Sequence, residues 1–135
     1  MTPVVVLDAS VGVKWFRREA GSNEARELVR AHLGGSTLLA VDTLFLYEVV
    51  SGATRGQDVG AMERVWADLQ ALDLAIVPPG AELMAAAAAQ RQALGCSTYD
   101  AFAPGLAALL RAPLVSADAR AHGRYPGVRL IGDRL

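Results

Sequence analysis

Four acidic residues stand out by where they fall. Asp8 closes the β-branched run Val4-Val5-Val6-Leu7, and Asp118 follows Leu114-Val115-Ser116-Ala117. Neither run alternates strictly, so each reads as a buried parallel strand. Ligands of open parallel sheets bind outside the carboxyl ends of such strands. A strand-end Asp also caps the following helix, so either acid alone has a purely structural explanation. Glu48 is the only charge in Leu44-Phe45-Leu46-Tyr47-Glu48-Val49-Val50. A helix of that composition is buried nearly all round, and a carboxylate on it needs an arginine or a metal ion as partner. Asp100 falls in the first turn of a helix opened by Ser97 or Thr98, and its apolar flanks Tyr99, Ala101 and Phe102 direct it into a wall of the fold.

Four carboxylates without a Cys/His cluster match hard, oxygen-preferring cations, Mg²⁺ or Mn²⁺. Such a site activates water and clamps a phosphodiester. Setting the four acids aside leaves a mildly basic body, as suits an enzyme that cuts RNA or DNA.

The elements that must position these groups follow from composition and periodicity. The 135 residues suit one domain spanning 1–135. Apolar residues make up 53% and charged residues 20%, which excludes intrinsic disorder. One cysteine excludes a disulfide framework and a Cys-based zinc site. No apolar run is long enough for a membrane span, and Met1-Thr2-Pro3 carries no basic segment of a signal peptide, so a cytoplasmic protein is expected. Thirteen basic against fourteen acidic residues exclude a polyanion binder working by bulk charge.

Strands are expected at Val4–Leu7, Leu38–Val41, Leu74–Val77, Leu114–Val115 and Val128–Ile131. Helices are expected from Ser10 to Phe16, over 22–33, from Thr43 to Ala53, after Asp58 with a Met62, Val65, Trp66, Leu69 face, over 80–94, and from Ser97 or Thr98 toward Leu110. Their alternation implies an α/β fold with a parallel sheet. Pro104 interrupts the last helix and is expected to kink it one turn from Asp100, whose carbonyl must then find another partner because proline has no N–H. His122 falls in a loop-like stretch after Asp118, where its functional option is contact with a phosphate or a partner. Arg120 and Arg124 flank the same acid as candidates for substrate phosphates.

The sequence resembles PIN-domain ribonucleases, specifically VapC-type toxins of type II toxin–antitoxin systems. The resemblance rests on Val6-Leu7-Asp8-Ala9-Ser10, Tyr47-Glu48-Val49-Val50-Ser51, Thr98-Tyr99-Asp100-Ala101 and Pro113-Leu114-Val115-Ser116-Ala117-Asp118, in that order over nearly the whole chain. It implies a PIN-like parallel sheet of about 4–5 strands flanked by helices, and a Mg²⁺- or Mn²⁺-dependent endoribonuclease. Asp8, Asp100 and Asp118 are then the main metal ligands, Glu48 completes the shell or orients the attacking water, and Ser10 and Ser116 are supporting hydroxyls. It further implies an RNA substrate, a cognate VapB-type antitoxin that covers the groove, and a homodimer. The alternative is a PIN-like binding module whose active site has decayed. Other doubly wound folds fit less well. A haloacid-dehalogenase-like phosphatase needs a second Asp where Ser10 stands, and a receiver domain needs a late lysine, whereas the only lysine is Lys14.

Overall fold

The computed structural model describes residues 1–132. Five strands form one sheet in the order β3-β2-β1-β4-β5, all parallel. They are β1 Val4–Leu7, β2 Leu38–Asp42, β3 Ala75–Val77, β4 Leu114–Ser116 and β5 Arg129–Leu130. The expected α/β architecture is present. The most apolar strand, β1, lies in the middle, with Val5 opposite Leu39 and Leu7 opposite Val115.

Successive strand residues point to opposite faces, so β1 feeds two cores. Leu7, with Leu39, Val41 and Val115, meets α1 (Ala9–Val13), α2 (Ser22–Leu33), α3 (Thr43–Ala53) and α4 (Gly60–Ala71) through Val11, Leu28, Phe45, Val49 and Val65. Val6, with Ala40 and Leu114, meets α5 (Ala81–Leu94) and α6 (Phe102–Leu110) through Leu83, Ala103, Leu106 and Ala107. Close approaches set these layers. A Cβ at Gly12 would lie 2.6 Å from Val49 Cγ2 and 2.7 Å from Phe45 Cζ, so only glycine lets α1 lie against α3. A Cβ at Gly105 would lie 2.8 Å from the Ala87 backbone, which seats α6 on the alanine stripe of α5.

Several boundaries differ from expectation. The first helix is capped by Asp8 rather than Ser10 and ends at Val13. Strand β2 runs one residue further, to Asp42. On α4, Val65 and Leu69 are buried, but Met62 and Trp66 (41% exposed) face outward, because no other element covers that side of the helix. Past Ser97, whose Oγ accepts the Asp100 N–H at 3.1 Å, the chain makes a 3₁₀ turn at Tyr99–Ala101 and only then enters α6. Pro104 therefore sits not in a helix interior but in the first turn of α6, where helical N–H groups have no intrahelical acceptor and proline is tolerated. The stretch expected to be a loop after Asp118 contains a short helix, α7 (Ala119–His122). No helix among the described residues is long and apolar enough to cross a membrane.

Candidate active site

The carboxyl ends of β1, β2 and β4 lie side by side, and each carries an acid that caps the next helix: Asp8 directly after β1, Asp42 as the last residue of β2, and Asp118 two residues past β4. Asp8 caps α1. Its Oδ2 accepts the Ser10 N–H at 3.0 Å and the Ser10 hydroxyl at 2.6 Å. Ser10 Oγ in turn accepts the Ala117 N–H at 2.9 Å, and the Asp8 N–H donates to the Val115 carbonyl at 3.1 Å. One serine hydroxyl thus fastens the end of β1 to the end of β4. It fixes one oxygen of Asp8, and the other accepts no hydrogen bond among the described residues.

Asp42, which the sequence reading passed over, caps α3. Its Oδ1 accepts the Phe45 N–H at 2.9 Å, and the residue is only 5% exposed. Burial raises its pKa, the Phe45 hydrogen bond partly offsets this, and the charge of Asp8 raises it further. The signal for Asp42 was the same as for Asp8: an acid directly after an apolar run.

Glu48 stands in the second turn of α3, half-buried rather than enclosed, because Tyr47 beside it is 72% exposed. Its carboxyl pKa is pushed up to about 7, first by burial and then by the negative charges of Asp8, Asp42 and Asp100. The arginine partner that would have explained it structurally is absent among the described residues. The ion pairs there are Lys14–Glu19, Arg30–Glu27 and Arg64–Asp58, none at this edge.

Asp100, on the 3₁₀ turn, is half-buried. Asp118 caps α7, its Oδ1 accepting the Ala121 N–H at 3.0 Å. The structure therefore gathers Asp8, Asp42 and Asp100 around Glu48, with Asp118 on the turn after the neighbouring strand. Asp118 is not among the charges that raise Glu48. Of the supporting hydroxyls, Ser10 holds Asp8, and Ser116 Oγ accepts the Asp118 N–H at 3.0 Å.

His122 is fully buried, not a surface contact. Its Nδ1 lies 2.7 Å from Ser116 Oγ, and its Nε2 lies 2.7 Å from the Asp100 carbonyl oxygen. That carbonyl is the one Pro104 cannot bond. Nothing local in the sequence pairs His122 with a group 22 residues away. Arg124 donates to the Leu94 carbonyl at the end of α5, so it braces the scaffold, whereas Arg120 is exposed.

The donor set consists of carboxylate oxygens that repel one another and have no ion-pair partner among the described residues, which fits a hard divalent ion. Among the described residues, no three His, Cys, Asp or Glu side chains form a ready-made ion cage. A site without such a cage can still take Mg²⁺, which commonly uses one or two carboxylates and completes its shell with water and substrate phosphate.

The PIN-domain family model matches residues 5–127, and the chain belongs to that family. No curated protein sequence matches it. Among solved structures, it is similar to a chain of a toxin–antitoxin complex from Klebsiella pneumoniae, at 21% identity over 92% of this chain and 94% of that one, with a TM-score of 0.70. It is also similar to a chain of DNA-bound VapBC from Salmonella typhimurium, at 21% identity, 96% and 97% coverage and a TM-score of 0.65. A chain of VapBC2 from Rickettsia felis, bound to a DNA fragment from its promoter, matches at 17% identity, 94% and 96% coverage and a TM-score of 0.68. At these identities the likeness is one of fold.

Proposed function

We propose that this PIN-domain protein is a Mg²⁺- or Mn²⁺-dependent endoribonuclease, the toxin of a VapBC-type pair. The observation that carries the proposal is Glu48 set among Asp8, Asp42 and Asp100, with no ion-pair partner among the described residues, at the ligand-binding edge of a parallel sheet. The fold neighbours support it, since each comes from a toxin–antitoxin or VapBC complex.

Asp8, Asp100 and Asp118 would hold the metal, with Glu48 beside them. When bound, the ion lowers the pKa of water and neutralises charge on the scissile phosphate. The residues supply orientation and proton handling. Ser10 holds one oxygen of Asp8 and leaves the other free for a ligand. Asp42, committed to its helix cap, adds to the burial and the Asp8 charge that raise the Glu48 pKa. Without metal the Glu48 carboxyl pKa is pushed up to about 7; a bound cation would favour its charged form, in which it would accept a proton from the attacking water.

Two apolar surfaces support the partner reading. A groove of about 670 Å³ between α3 and α4 is lined by Leu46, Tyr47, Val50, Thr54, Met62 and Trp66, and is offered to a cognate VapB-type antitoxin. A second apolar cleft, of about 250 Å³, carries Tyr47, Met84, Tyr99 and Phe102 and is offered to a homodimer contact.

One observation favours a different function, a PIN-like binding module without catalysis: the missing three-ligand cage. Incubating the purified protein with RNA in Mn²⁺ and in EDTA separates the two. Cleavage in Mn²⁺ alone is expected. Intact RNA under both conditions, with no Mn²⁺-induced rise in melting temperature, would establish the binding module instead.

A further inference from the structure

We propose that His122 is a positioning residue that locks the Asp100 turn to the Asp118 turn, an inference that rests on the nuclease function above. Three hydrogen bonds form one chain. The Asp118 N–H donates to Ser116 Oγ at 3.0 Å, Ser116 Oγ meets His122 Nδ1 at 2.7 Å, and His122 Nε2 meets the Asp100 carbonyl at 2.7 Å. A carbonyl only accepts, so Nε2 carries the proton. In the neutral ring Nδ1 is then an acceptor, and the Ser116 hydroxyl donates to it while accepting from Asp118. Every polar atom in the chain has its partner, and no buried side-chain polar atom among the described residues lacks one.

Pro104 gives the arrangement its reason. A residue with an N–H at that position could reach back to the Asp100 carbonyl, four residues earlier on the 3₁₀ turn that leads into α6. Pro104 leaves this carbonyl without a helical donor, and a ring on α7 takes it instead. The Asp100 carbonyl is thus held by the segment that carries Asp118. Two acids more than a dozen residues apart are held in register through one imidazole. Outer partners of metal-binding groups typically contribute about 10–100-fold to metal affinity or activity.

The test uses the full chain. In metal-free wild type, ¹⁵N NMR should show His122 as the Nε2–H tautomer with a slowly exchanging ring proton. An Nδ1–H tautomer would overturn the hydrogen-bond chain. His122→Phe keeps the buried shape but removes both ring hydrogen bonds. It is expected to raise the Mn²⁺ concentration for half-maximal thermal stabilisation roughly tenfold or more and to lower kcat to a similar degree, leaving KM for RNA unchanged. A purely structural role would instead reduce the active fraction and leave the Mn²⁺ requirement at its wild-type value, which would overturn the proposal. If His122→Phe fails to fold, Ser116→Ala breaks the same chain with less disturbance and decides by the same Mn²⁺ titration. Adding Pro104→Ala to His122→Phe restores a donor for the Asp100 carbonyl and should recover part of the lost Mn²⁺ affinity. No recovery would show that this carbonyl is not the point of control. A wild type that neither cleaves RNA nor gains stability from Mn²⁺ would sink the nuclease function itself. An active wild type with unaffected variants would sink only the role of His122.

Discussion

Replacing Glu48 by Gln should stabilise the metal-free protein, and only at high pH. The Glu48 carboxyl titrates near 7 in the fold, against an ordinary value of 4.5. The folded state therefore binds this proton more tightly than the unfolded state does. Between about pH 4.5 and 7 the unfolded chain has lost the proton that the folded chain keeps, so stability falls as pH rises through that window and levels off above it. At about 1.4 kcal/mol per pH unit the full shift amounts to roughly 3 kcal/mol. Solvent screening of a half-exposed side chain reduces this to about 1–2 kcal/mol. Gln carries no charge at any pH and removes the penalty. In EDTA, urea unfolding of Glu48→Gln should give a stability about 1–2 kcal/mol above wild type at pH 8, or roughly 3–6 °C in Tm, and no advantage at pH 4. Saturating Mn²⁺ should shrink this advantage at pH 8, because the cation offsets in the wild type the repulsion that Gln removes. A variant less stable than wild type in EDTA at pH 8, or equally advantaged at pH 4 and pH 8, would refute the claim that repulsion and burial strain this carboxylate.

Gly105→Ala forces a Cβ against the Ala87 backbone and should cost about 1–3 kcal/mol in urea unfolding. Pro104→Ala should not stabilise the fold, since Pro104 is unstrained in the first turn of α6; losing its rigidity should cost about 0.5–1 kcal/mol, read by the same melts. Trp66→Glu places a charge in the groove between α3 and α4 and should weaken antitoxin binding in calorimetry at least tenfold while leaving RNA cleavage intact. Light scattering of the purified chain should report a dimer, and a monomer at tens of micromolar would defeat that contact.

The central strand and its flanking acids were legible because an apolar run ending in Asp has few other meanings in an α/β pattern. Asp42 obeyed the same rule but was hidden. The apolar helix that begins at Thr43 follows β2 without a loop, so the strand seemed to stop at Val41. Of the expected α4 face, Val65 and Leu69 are buried but Met62 and Trp66 are exposed, because periodicity does not say which part of a stripe another element covers. Pro104 announced that the Asp100 carbonyl needed an outside donor. Which donor depends on how α7 folds back over the 3₁₀ turn, a long-range packing outcome with no local sequence signature. Glu48 revealed itself by its apolar neighbours, whereas the identity of the charges around it became visible only once β1, β2 and the 3₁₀ turn were placed together.

Mapping RNA ends in cells after brief induction of the wild type and of Asp8→Asn tests the nuclease function most directly. Asn at position 8 keeps an oxygen to accept the Ser10 N–H, so the cap of α1 survives while the charge offered to a metal is lost. New RNA ends at defined positions with the wild type, and none with Asp8→Asn at equal protein level, are the expected result. Identical end maps from the two proteins, or no new ends from either, would contradict it.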